Sequence, residues 1–368
     1  MARRISNFAE NNKLFPDFQF GFRKSHSTVA AATLLFEAAN SRLNAQPKSL
    51  KTFVCFIDFA KCFESIRRDI LFVKLQRLGF PPSLCSILHF IFKNTKFFIR
   101  SGIHLVESFE SSIGLPQGCC LSPILFCLFV ADLPECLPHA GVSCGSFFLK
   151  YLQFADDLAL IAASAIELQA SIDALEKYCE ENFLNINVDK TKILIFHKGR
   201  LPHHTFYLNG KVIEQVSSFT YLGFTFSPQL SFTKHVENLN NKASSKCGLL
   251  LSKLPNLNLP LNVILDLFNC YILPTYTYGL NLWLGRTSGS AEEAINSVFT
   301  KFLKRYLGIP YRANNSITYF ITNSEPLTII LQQLYQKSFS SLTFPILAQM
   351  VTNFPKLLKI PNNMTPFL

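Results

Sequence analysis

Two adjacent carboxylates, Asp156 and Asp157, lie inside an otherwise apolar run from Tyr151 to Ile161. No Lys or Arg stands within this run, so the two negative charges repel each other and are costly to remove from water without a neutralising cation. A divalent metal ion is the usual solution. The alternative is an ordinary acidic turn, which is the better interpretation of an isolated Asp-Asp pair.

A third carboxylate, Asp58, ends the continuous apolar run from Thr52 to Ile57. A run of β-forming residues of this length predicts a buried strand, and packing explains poorly why such a strand should end in an acid. The alternative is that Asp58 caps the helix that follows. Apolar spacing predicts this helix from about Phe63 to Leu78, before Gly79.

Other segments carry side chains that suit nucleotide or phosphate contacts. Gly114 to Pro123 contains two glycines and a proline around Gln117, which predicts a shaped loop with a free amide, followed by an apolar helix capped by Ser122. Lys190 and Lys192 are two positions apart and would share a face in an extended segment. In the segment 18–28, Gly21 permits close backbone approach, Phe20 and Phe22 offer stacking faces, and Arg23 and Lys24 carry charge.

These residues need strands and helices to bring them together. The apolar residues on both sides of Asp156 and Asp157 predict a hairpin with the two acids at its turn. Ser164 to Glu167 is a capping box before a helix, and Ser27 or Thr28 can cap another that runs to Leu43. Tyr221 to Phe224 predicts a second hairpin, and the pattern is helical and basic from Phe232 onward.

The composition fits a core-rich protein that contacts a polyanion. Of 368 residues, 49% are hydrophobic and 16% charged, with a net charge of +11. Lys and Arg outnumber Asp and Glu by 16 to 6 in residues 1–100 and by 9 to 3 in residues 182–253, whereas residues 101–181 carry 2 against 11. An acidic centre between basic flanks is typical of a metal site held between surfaces that grip nucleic acid.

The cysteines and apolar runs place the chain among intracellular proteins. The 11 cysteines form neither a disulfide framework nor a zinc motif, which favours buried free thiols in a reducing compartment. The run from Pro123 to Ala131 is too short to span a membrane, and the run from Leu261 to Trp283 contains polar residues and a proline. We therefore expect a protein of the nucleus or cytoplasm that is neither secreted nor in contact with a membrane.

Taken in order, these motifs resemble those of the reverse transcriptases of non-LTR (LINE-type) retrotransposons. The matching segments are Gln19-Phe20-Gly21-Phe22-Arg23 with Ser27-Thr28, Phe56 to Ser65, Gly114 to Pro123, Phe154 to Asp157, Asn187 to Lys192, and Tyr221-Leu222-Gly223. The resemblance implies an α+β right-hand polymerase with a ferredoxin-like antiparallel palm. Partial fingers and the palm would occupy residues 1–230, a helical thumb 231–285, and a helical region of unclear role 286–368.

The same resemblance implies an RNA-directed DNA polymerase that uses two Mg²⁺ ions, with Mn²⁺ as a possible substitute, on an RNA template, a DNA primer and dNTPs. Asp58, Asp156 and Asp157 would be the catalytic and metal-binding acids. The substrate-binding residues would be Arg23, Phe63, Gln117, Gly118 and Lys190, with Phe63 as the gate that disfavours a ribose 2′-hydroxyl. Tyr221, Leu222 and Gly223 would form the primer grip. Lys192 is expected to be a solvated strand residue.

Some positions depart from the family pattern. Cys62 and Glu64 stand where the family usually has Ala and Asp, and Cys119-Cys120 replaces a small polar pair. Family members carry fingers strands upstream of the Gln-Phe-Gly-Phe-Arg segment, so we expect this chain to be truncated at its N-terminus. The alternative functions are a catalytically inactive remnant that at most binds nucleic acid, and an RNA-templated RNA polymerase, which Phe63 disfavours.

Overall fold

The apolar run from Thr52 to Ile57 is the central strand of a six-stranded sheet, and all of its residues are buried. With that run as β1, the other strands in chain order are β2 (Tyr151–Phe154), β3 (Asp157–Ala162), β4 (Lys192–Phe196), β5 (Phe206–Leu208) and β6 (Lys211–Gln215). Their spatial order is β5-β6-β4-β1-β3-β2. This computed structural model describes residues 1–339 except 94, 106–107, 146, 201–202 and 254–258.

The strands β2, β3, β1 and β4 pair antiparallel with one another. β1 lies between β3 and β4, with Ile57 opposite Leu158 and Phe56 opposite Lys192. β2 and β3 form the hairpin that the sequence predicts, and Phe154 pairs with Asp157 at its end. With the helices between them, β1 to β4 make a β-α-β-β-α-β unit.

One face of this unit forms the core. Phe53, Cys55 and Ile57 of β1 belong to a hydrophobic cluster with Leu158 of β3 and with the helix Ala165–Asn182. Successive residues of a strand point to opposite faces, so Asp58 and Asp157 extend from the other face. The strand ends therefore carry acids without placing them in the core.

The edge of the sheet differs from the predicted all-antiparallel arrangement. β6 runs parallel to β4, with Lys192 opposite Glu214. The reason is the intervening strand β5, which reverses the chain once before β6 reverses it again. Asn209 and Gly210 make this second reversal in left-handed backbone conformations, with φ of 51° and 70°.

Helices flank the sheet in the first of two compact units, which ends at Ser217. The predicted caps Ser27 and Ser164 each accept a hydrogen bond from a backbone N–H of the first turn. Ser122 was expected to be a cap, but it is the first helical residue, and its hydroxyl instead donates to the Pro116 carbonyl across 2.6 Å. The helices are Ala2–Asn11, Thr28–Leu43, Cys62–Ser65, Arg68–Arg77, Pro82–Lys93, Ser122–Phe129, Leu133–Cys136 and Ala165–Asn182.

Short strands complete the first unit outside the main sheet. The predicted strand from Lys96 to Arg100 is divided in two, and each half pairs with a later segment of the chain. The pairs are Phe59–Ala60 with Asn185–Ile186, Lys96–Phe97 with Phe109–Glu110, Arg100–Ser101 with His104–Leu105, and Val142–Cys144 with Phe147–Leu149.

The second unit begins at Ser218 and is mainly helical in its described part. It opens with the predicted hairpin, whose strands are Phe219–Tyr221 and Phe224–Phe226. The helices are Thr233–Lys253, Leu261–Leu267, Pro274–Thr277, Leu280–Trp283, Gly289–Leu307, Asn315–Thr322 and Leu327–Phe339, with a π-helical turn at Phe268–Ile272. Parts of the predicted divisions 231–285 and 286–368 lie outside the described residues.

The cysteines are free, as predicted, and seven of the 11 are buried. Cys270, which lies in an apolar run of the sequence, is an exception because it is exposed on the π-helical turn. Within residues 1–339 and outside the gaps given above, no helix has the length and apolar character needed to cross a membrane.

Candidate active site

Asp58 is held at the end of β1 by one turn of the chain. Its backbone N–H donates to the Thr191 hydroxyl across 3.3 Å, and its carbonyl accepts the N–H of Asn187 across 2.8 Å. The Thr191 hydroxyl in turn donates to the Asn187 carbonyl across 2.8 Å. Both backbone groups of Asp58 are thus satisfied by the segment 187–191, which fixes the direction of its half-buried side chain.

Asp156 and Asp157 occupy the turn and the first strand position of the β2–β3 hairpin. Ala155 precedes them with φ of 57°, in the left-handed region that residues with a Cβ rarely adopt. Ile57 pairs with Leu158, so the next position along β1, Asp58, lies beside Asp157. Acids that are about 100 residues apart in sequence therefore meet at neighbouring strand ends.

The electrostatics of Asp157 reflect this proximity. Its pKa is raised to about 6, first by the burial of the carboxyl and then by the negative charges of Asp156 and Asp58. Part of the residue remains exposed to solvent, which weakens the burial effect, and dissolved salt screens the charge effect. In the described part of the chain, no ion pair involves any of the three acids. The site therefore holds more negative charge than its own side chains neutralise.

Cys62, on the short helix after β1, adds a thiol to the site. Burial of the thiol, followed by the charge of the nearby Asp156 carboxylate and hydrogen bonding to it, raises the pKa of Cys62 to about 12. Cys62 therefore acts as a neutral donor at neutral pH. The sequence flagged this position only as a departure from the family pattern.

The Gly114–Gln117 loop is built on the residues that follow Asp58. The N–H of Gly114 donates to the Ile66 carbonyl across 2.8 Å, and the N–H of Leu115 donates to the Phe63 carbonyl across 2.7 Å. A Cβ on Gly114, where φ is 80°, would lie 2.7 Å from the Glu64 carbonyl oxygen. Because Ile66 is extended and bound to this loop, the helix predicted from Phe63 to Leu78 is divided into two.

The predicted substrate residues Phe63, Gln117 and Gly118 lie on or next to this loop and the short helix bound to it. Phe63 is half-buried, and its ring stacks on Phe126 with centroids 4.9 Å apart. Gln117 is exposed, and its amide donates to the Glu64 carboxylate across 2.6 Å. Gly118 has φ of 79° and open space around the position of a Cβ. Phe63 and Gln117 are therefore parts of one hydrogen-bonded piece.

A buried arginine, which sequence reasoning missed, anchors this piece. Arg68 donates to the carbonyls of Gly114, Ser111 and Phe92 across 2.7, 2.6 and 3.3 Å. Its guanidinium also lies over the Phe92 ring, 5.3 Å from the centroid. The carbonyl partners are more than 20 residues away in sequence, so no local signal identifies this role.

Lys190 was predicted to lie in an extended segment, but it lies in the turn that binds the backbone of Asp58. It is exposed within the 187–191 turn, and its backbone N–H donates to the Asn187 side chain across 3.3 Å. Lys192 is on β4, where its ammonium contacts the Asp189 carbonyl and the Glu214 carboxylate, the latter across 2.7 Å. The two lysines therefore do not share a face, and Lys192 is ion-paired rather than simply solvated.

The Gln-Phe-Gly-Phe-Arg segment packs against the Asp-Asp turn. Phe20 donates its N–H to the Gln153 carbonyl across 2.7 Å, and Gln153 donates its own N–H to the Phe18 carbonyl across 3.0 Å. A Cβ on Gly21 would lie 2.3 Å from the backbone nitrogen of Ala155, which confirms the predicted close approach. Phe20 was expected to be a stacking face, but it is 2% exposed and packs on His26; Phe22 is 50% exposed.

Arg23 is engaged in the first unit rather than free at a surface. Its guanidinium forms a two-point contact with Glu10, at 2.9 and 3.0 Å, and donates to the carbonyls of Pro16 and Gln19. The side chain is 11% exposed. These contacts occupy the guanidinium and give Arg23 a structural role in place of the predicted role as a substrate ligand.

The predicted primer-grip residues form the turn of the hairpin that opens the second unit. Tyr221 is buried, and Leu222 and Gly223 have left-handed φ values of 48° and 86°. Tyr278 donates its hydroxyl hydrogen to the Leu222 carbonyl across 2.8 Å, and its ring stacks on Phe224. A Cβ on Gly223 would lie 2.9 Å from the Tyr278 ring, so this turn requires a glycine.

No group of three or more His, Cys, Asp or Glu side chains in the described residues is placed to hold a metal ion on its own. Asp58 and Asp156 offer two carboxylates. Mg²⁺ in nucleotide-processing sites is commonly held by one or two carboxylates together with water and substrate phosphates. The donors present fit an ion whose coordination the substrate completes.

Comparison with known proteins identifies the family. Residues 1–226 match the family described as reverse transcriptase (RNA-dependent DNA polymerase). The chain is 27% identical over 325 residues to the RNA-directed DNA polymerase from mobile element jockey of Drosophila melanogaster, covering 84% of this chain and 34% of the relative. It is 26% identical over 320 residues to the probable RNA-directed DNA polymerase from transposon BS of the same species, with the same coverage.

The chain thus spans about a third of the length of these curated relatives. A solved structure of apo telomerase from Candida tropicalis is also similar, with a TM-score of 0.45, 13% identity, and coverage of 90% of this chain and 55% of that one. The family match covers the ordered motifs up to the Tyr221 hairpin, and the curated relatives are polymerases of mobile elements. The chain belongs to the reverse transcriptase family.

Proposed function

We propose that this chain is an RNA-directed DNA polymerase that adds deoxynucleotides to a primer 3′-hydroxyl. The observation that carries this proposal is the meeting of Asp58, Asp156 and Asp157 at neighbouring strand ends. Burial and then the charges of Asp156 and Asp58 raise the pKa of Asp157, and no ion pair among the described residues offsets the three acids. A site with this excess of negative charge suits divalent cations and the phosphates that accompany them.

Asp58 and Asp156 would hold two Mg²⁺ ions, for which Mn²⁺ could substitute, with Asp157 beside them. When bound, such a pair activates the attacking hydroxyl and stabilises the charge that develops on the transferred phosphoryl group. Asp58 is suited to a fixed role because its backbone is bound on both sides by the 187–191 turn. The neutral thiol of Cys62 would be a neighbour of the Asp156 carboxylate in this site.

The remaining predicted residues would bind and select the nucleotide. Lys190 is exposed on the turn that holds Asp58, which suits a contact with the triphosphate. Phe63 would exclude a 2′-hydroxyl, and Gln117 and Gly118 would lie along the nucleotide and template. Phe63 and Gln117 belong to one hydrogen-bonded piece, which supports a shared role beside the nucleotide.

In the terms of a right-hand polymerase, the six-stranded sheet would be a ferredoxin-like palm, and the segment before β1 would be part of the fingers. These regions would lie within residues 1–230. The helix Thr233–Lys253 would begin a thumb within 231–285, followed by a region 286–368 of unassigned role. Tyr221, Leu222 and Gly223 would form the primer grip, and the partners would be an RNA template, a DNA primer and dNTPs.

The test is primer extension by the purified chain on a labelled DNA primer annealed to an RNA template, with Mg²⁺ and dNTPs. We expect extension that a chelator abolishes and that Asp156→Asn reduces by about a thousandfold or more. Glu10→Gln, which changes a carboxylate in the Arg23 contact, is the control and should retain extension. Template binding without extension would instead identify the chain as an inactive nucleic-acid-binding remnant.

A further inference from the structure

Two buried glutamines hold the turn that carries Asp156. The side-chain oxygen of Gln19 accepts the N–H of Ala155 across 3.3 Å, and the side-chain nitrogen of Gln153 donates to the Ala155 carbonyl across 3.1 Å. Both polar backbone groups of the residue before Asp156 are therefore bound by side-chain amides. Gln19 and Gln153 are 1% and 0% exposed, and Ala155 is 4% exposed.

The two glutamines are neighbours on adjacent extended segments. They face each other in a parallel bridge between the Phe18–Phe20 segment and β2. The oxygen of Gln19 also accepts the N–H of Gly21 across 2.9 Å. Both partners of Gln19 are N–H donors, so the amide oxygen of Gln19 must face the turn. The partner of Gln153 is the Ala155 carbonyl, an acceptor, so the amide nitrogen of Gln153 must face the turn.

The amide atoms that do not contact the turn are complementary. The nitrogen of Gln19 and the oxygen of Gln153 are both buried, and neither has a hydrogen-bond partner among the residues that the structure describes. One is a donor and the other an acceptor, on residues that face each other in the bridge. Each glutamine therefore binds Ala155 with one amide atom, and the two remaining amide atoms are one donor and one acceptor.

The backbone conformation explains why such support is needed. Ala155 has φ of 57°, which is unfavourable for a residue with a Cβ, and an unpaired buried backbone group adds a further cost. The close approach of Gly21 to Ala155 brings Gln19 within reach, and any side chain at position 21 would prevent it. The two amides therefore supply the backbone contacts that this unfavourable conformation needs.

We propose that Gln19 and Gln153 are positioning residues that hold the turn from which the Asp156 carboxylate extends. This inference rests on the proposed function, since it assigns their effect to the divalent-metal site. Neither glutamine touches substrate in this role. They set the geometry of one metal ligand through the backbone of the residue before it.

The experiment measures Mn²⁺ binding to the full chain by electron paramagnetic resonance, together with the Mg²⁺ concentration that half-saturates primer extension. Gln19→Met and Gln153→Met keep the side-chain length and remove the hydrogen bonds. We expect Mn²⁺ affinity to fall about tenfold or more and the Mg²⁺ requirement to rise in parallel. Gln19→Glu keeps an oxygen opposite both N–H groups and should lose less than Gln19→Met.

Gln169→Met is the matched control, because that amide contacts Asp173 and the Tyr207 backbone away from the turn. It should leave Mn²⁺ affinity unchanged. If Gln153→Met does not fold, Gln19→Met alone tests the inference, since it removes the side-chain contact to the other backbone group of Ala155. Folded glutamine variants with wild-type Mn²⁺ affinity would overturn the inference.

The variant Asp156→Asn separates this inference from the proposed function. If Asp156→Asn loses Mn²⁺ while both glutamine variants bind it like the wild type, only the positioning role is wrong. If Asp156→Asn binds Mn²⁺ as well as the wild type, the metal site itself is wrong, and the role of the glutamines falls with it. Weakened binding in both sets of variants supports the inference.

Discussion

The hydroxyl of Thr191 accepts a hydrogen bond from the backbone N–H of Asp58 across 3.3 Å, although the two residues are 133 positions apart. The same hydroxyl donates to the Asn187 carbonyl, and Asn187 binds the Asp58 carbonyl. Thr191 is fully buried. One side chain thus couples the end of the central strand to the turn that presents Lys190.

Replacing Thr191 with Val should loosen this coupling. The change keeps the shape and removes the hydroxyl that accepts the Asp58 N–H, while the Asn187 carbonyl keeps the backbone N–H of residue 191. The free energy of unfolding should therefore fall by about 1–3 kcal/mol. Urea titration followed by circular dichroism measures this loss, and primer extension should show a higher Mg²⁺ requirement. Thr191→Ser keeps the hydroxyl and should recover most of both properties. If Thr191→Val and Thr191→Ser had the same unfolding free energy and the same Mg²⁺ requirement, the coupling through the hydroxyl would be contradicted.

Replacing Lys190 with Ala should weaken nucleotide binding. Loss of a charge-assisted contact to the triphosphate should raise the KM for dNTP roughly tenfold with little change in kcat. Steady-state kinetics with one varied dNTP measures this effect.

Lys192→Ala is the matched control for that measurement. It removes an ammonium two positions away whose partners are Asp189 and Glu214. Because Glu214 is largely exposed, this ion pair contributes less than about 1 kcal/mol, and the KM should stay unchanged. A larger KM change for Lys192→Ala than for Lys190→Ala would reverse the proposed assignment.

Replacing Phe63 with Val should admit ribonucleotides. A smaller side chain opens space beside the sugar, and the ratio of kcat/KM for dNTP over rNTP should fall at least about tenfold. Phe126→Leu disturbs the same ring stack from the core side and serves as the control. Selectivity that falls equally in both variants would mean that Phe63 acts only through packing.

The second unit should lose stability in mild acid because of His235. This residue is buried, and burial followed by the charge of Lys242 lowers its pKa to about 4. Its ring accepts the Thr225 N–H and packs against Trp283. Since the unfolded chain binds a proton on His235 near pH 6.5 and the folded chain does not, stability is present above that pH and falls as the pH drops toward 4.

The expected loss between pH 6.5 and pH 5 is about 2 kcal/mol of unfolding free energy. Trp283 is the single tryptophan of the chain, so its fluorescence in urea reports on this cluster. His235→Gln removes the titrating group and should flatten the pH dependence over this range. A wild-type midpoint that stays constant from pH 7 to pH 5 would contradict the buried, neutral state of His235.

Local patterns were sufficient for the strands and turns that carry the acids. The apolar run before Asp58, the hairpin around Asp156, the caps at Ser27 and Ser164, and the close approach at Gly21 follow from residues next to one another in sequence. The family motifs added the expectation that the acids converge, and the register of β1 with β3 brings Asp58 beside Asp157.

The features that the sequence did not predict depend on distant partners. The helix break at Ile66 depends on Gly114, the burial of the Arg23 guanidinium depends on Glu10, and the pairing of Lys192 depends on Glu214 on a parallel strand. In each pair, the two residues are separated by a segment whose conformation does not follow from local propensity. The glutamine pair was missed for the same reason, since Gln19 reaches Ala155 only after the sheet has formed.

The most direct test of a shared metal site compares Asp58→Asn, Asp156→Asn and the double variant in Mg²⁺-dependent single-nucleotide incorporation. Residues that act as a unit are strongly non-additive, so each single change should lower the rate by about a thousandfold or more, and the double variant should be no slower than the worse single variant. Independent, multiplying losses, or a single variant with near-wild-type rate, would contradict the proposal that these two carboxylates hold the catalytic metals together.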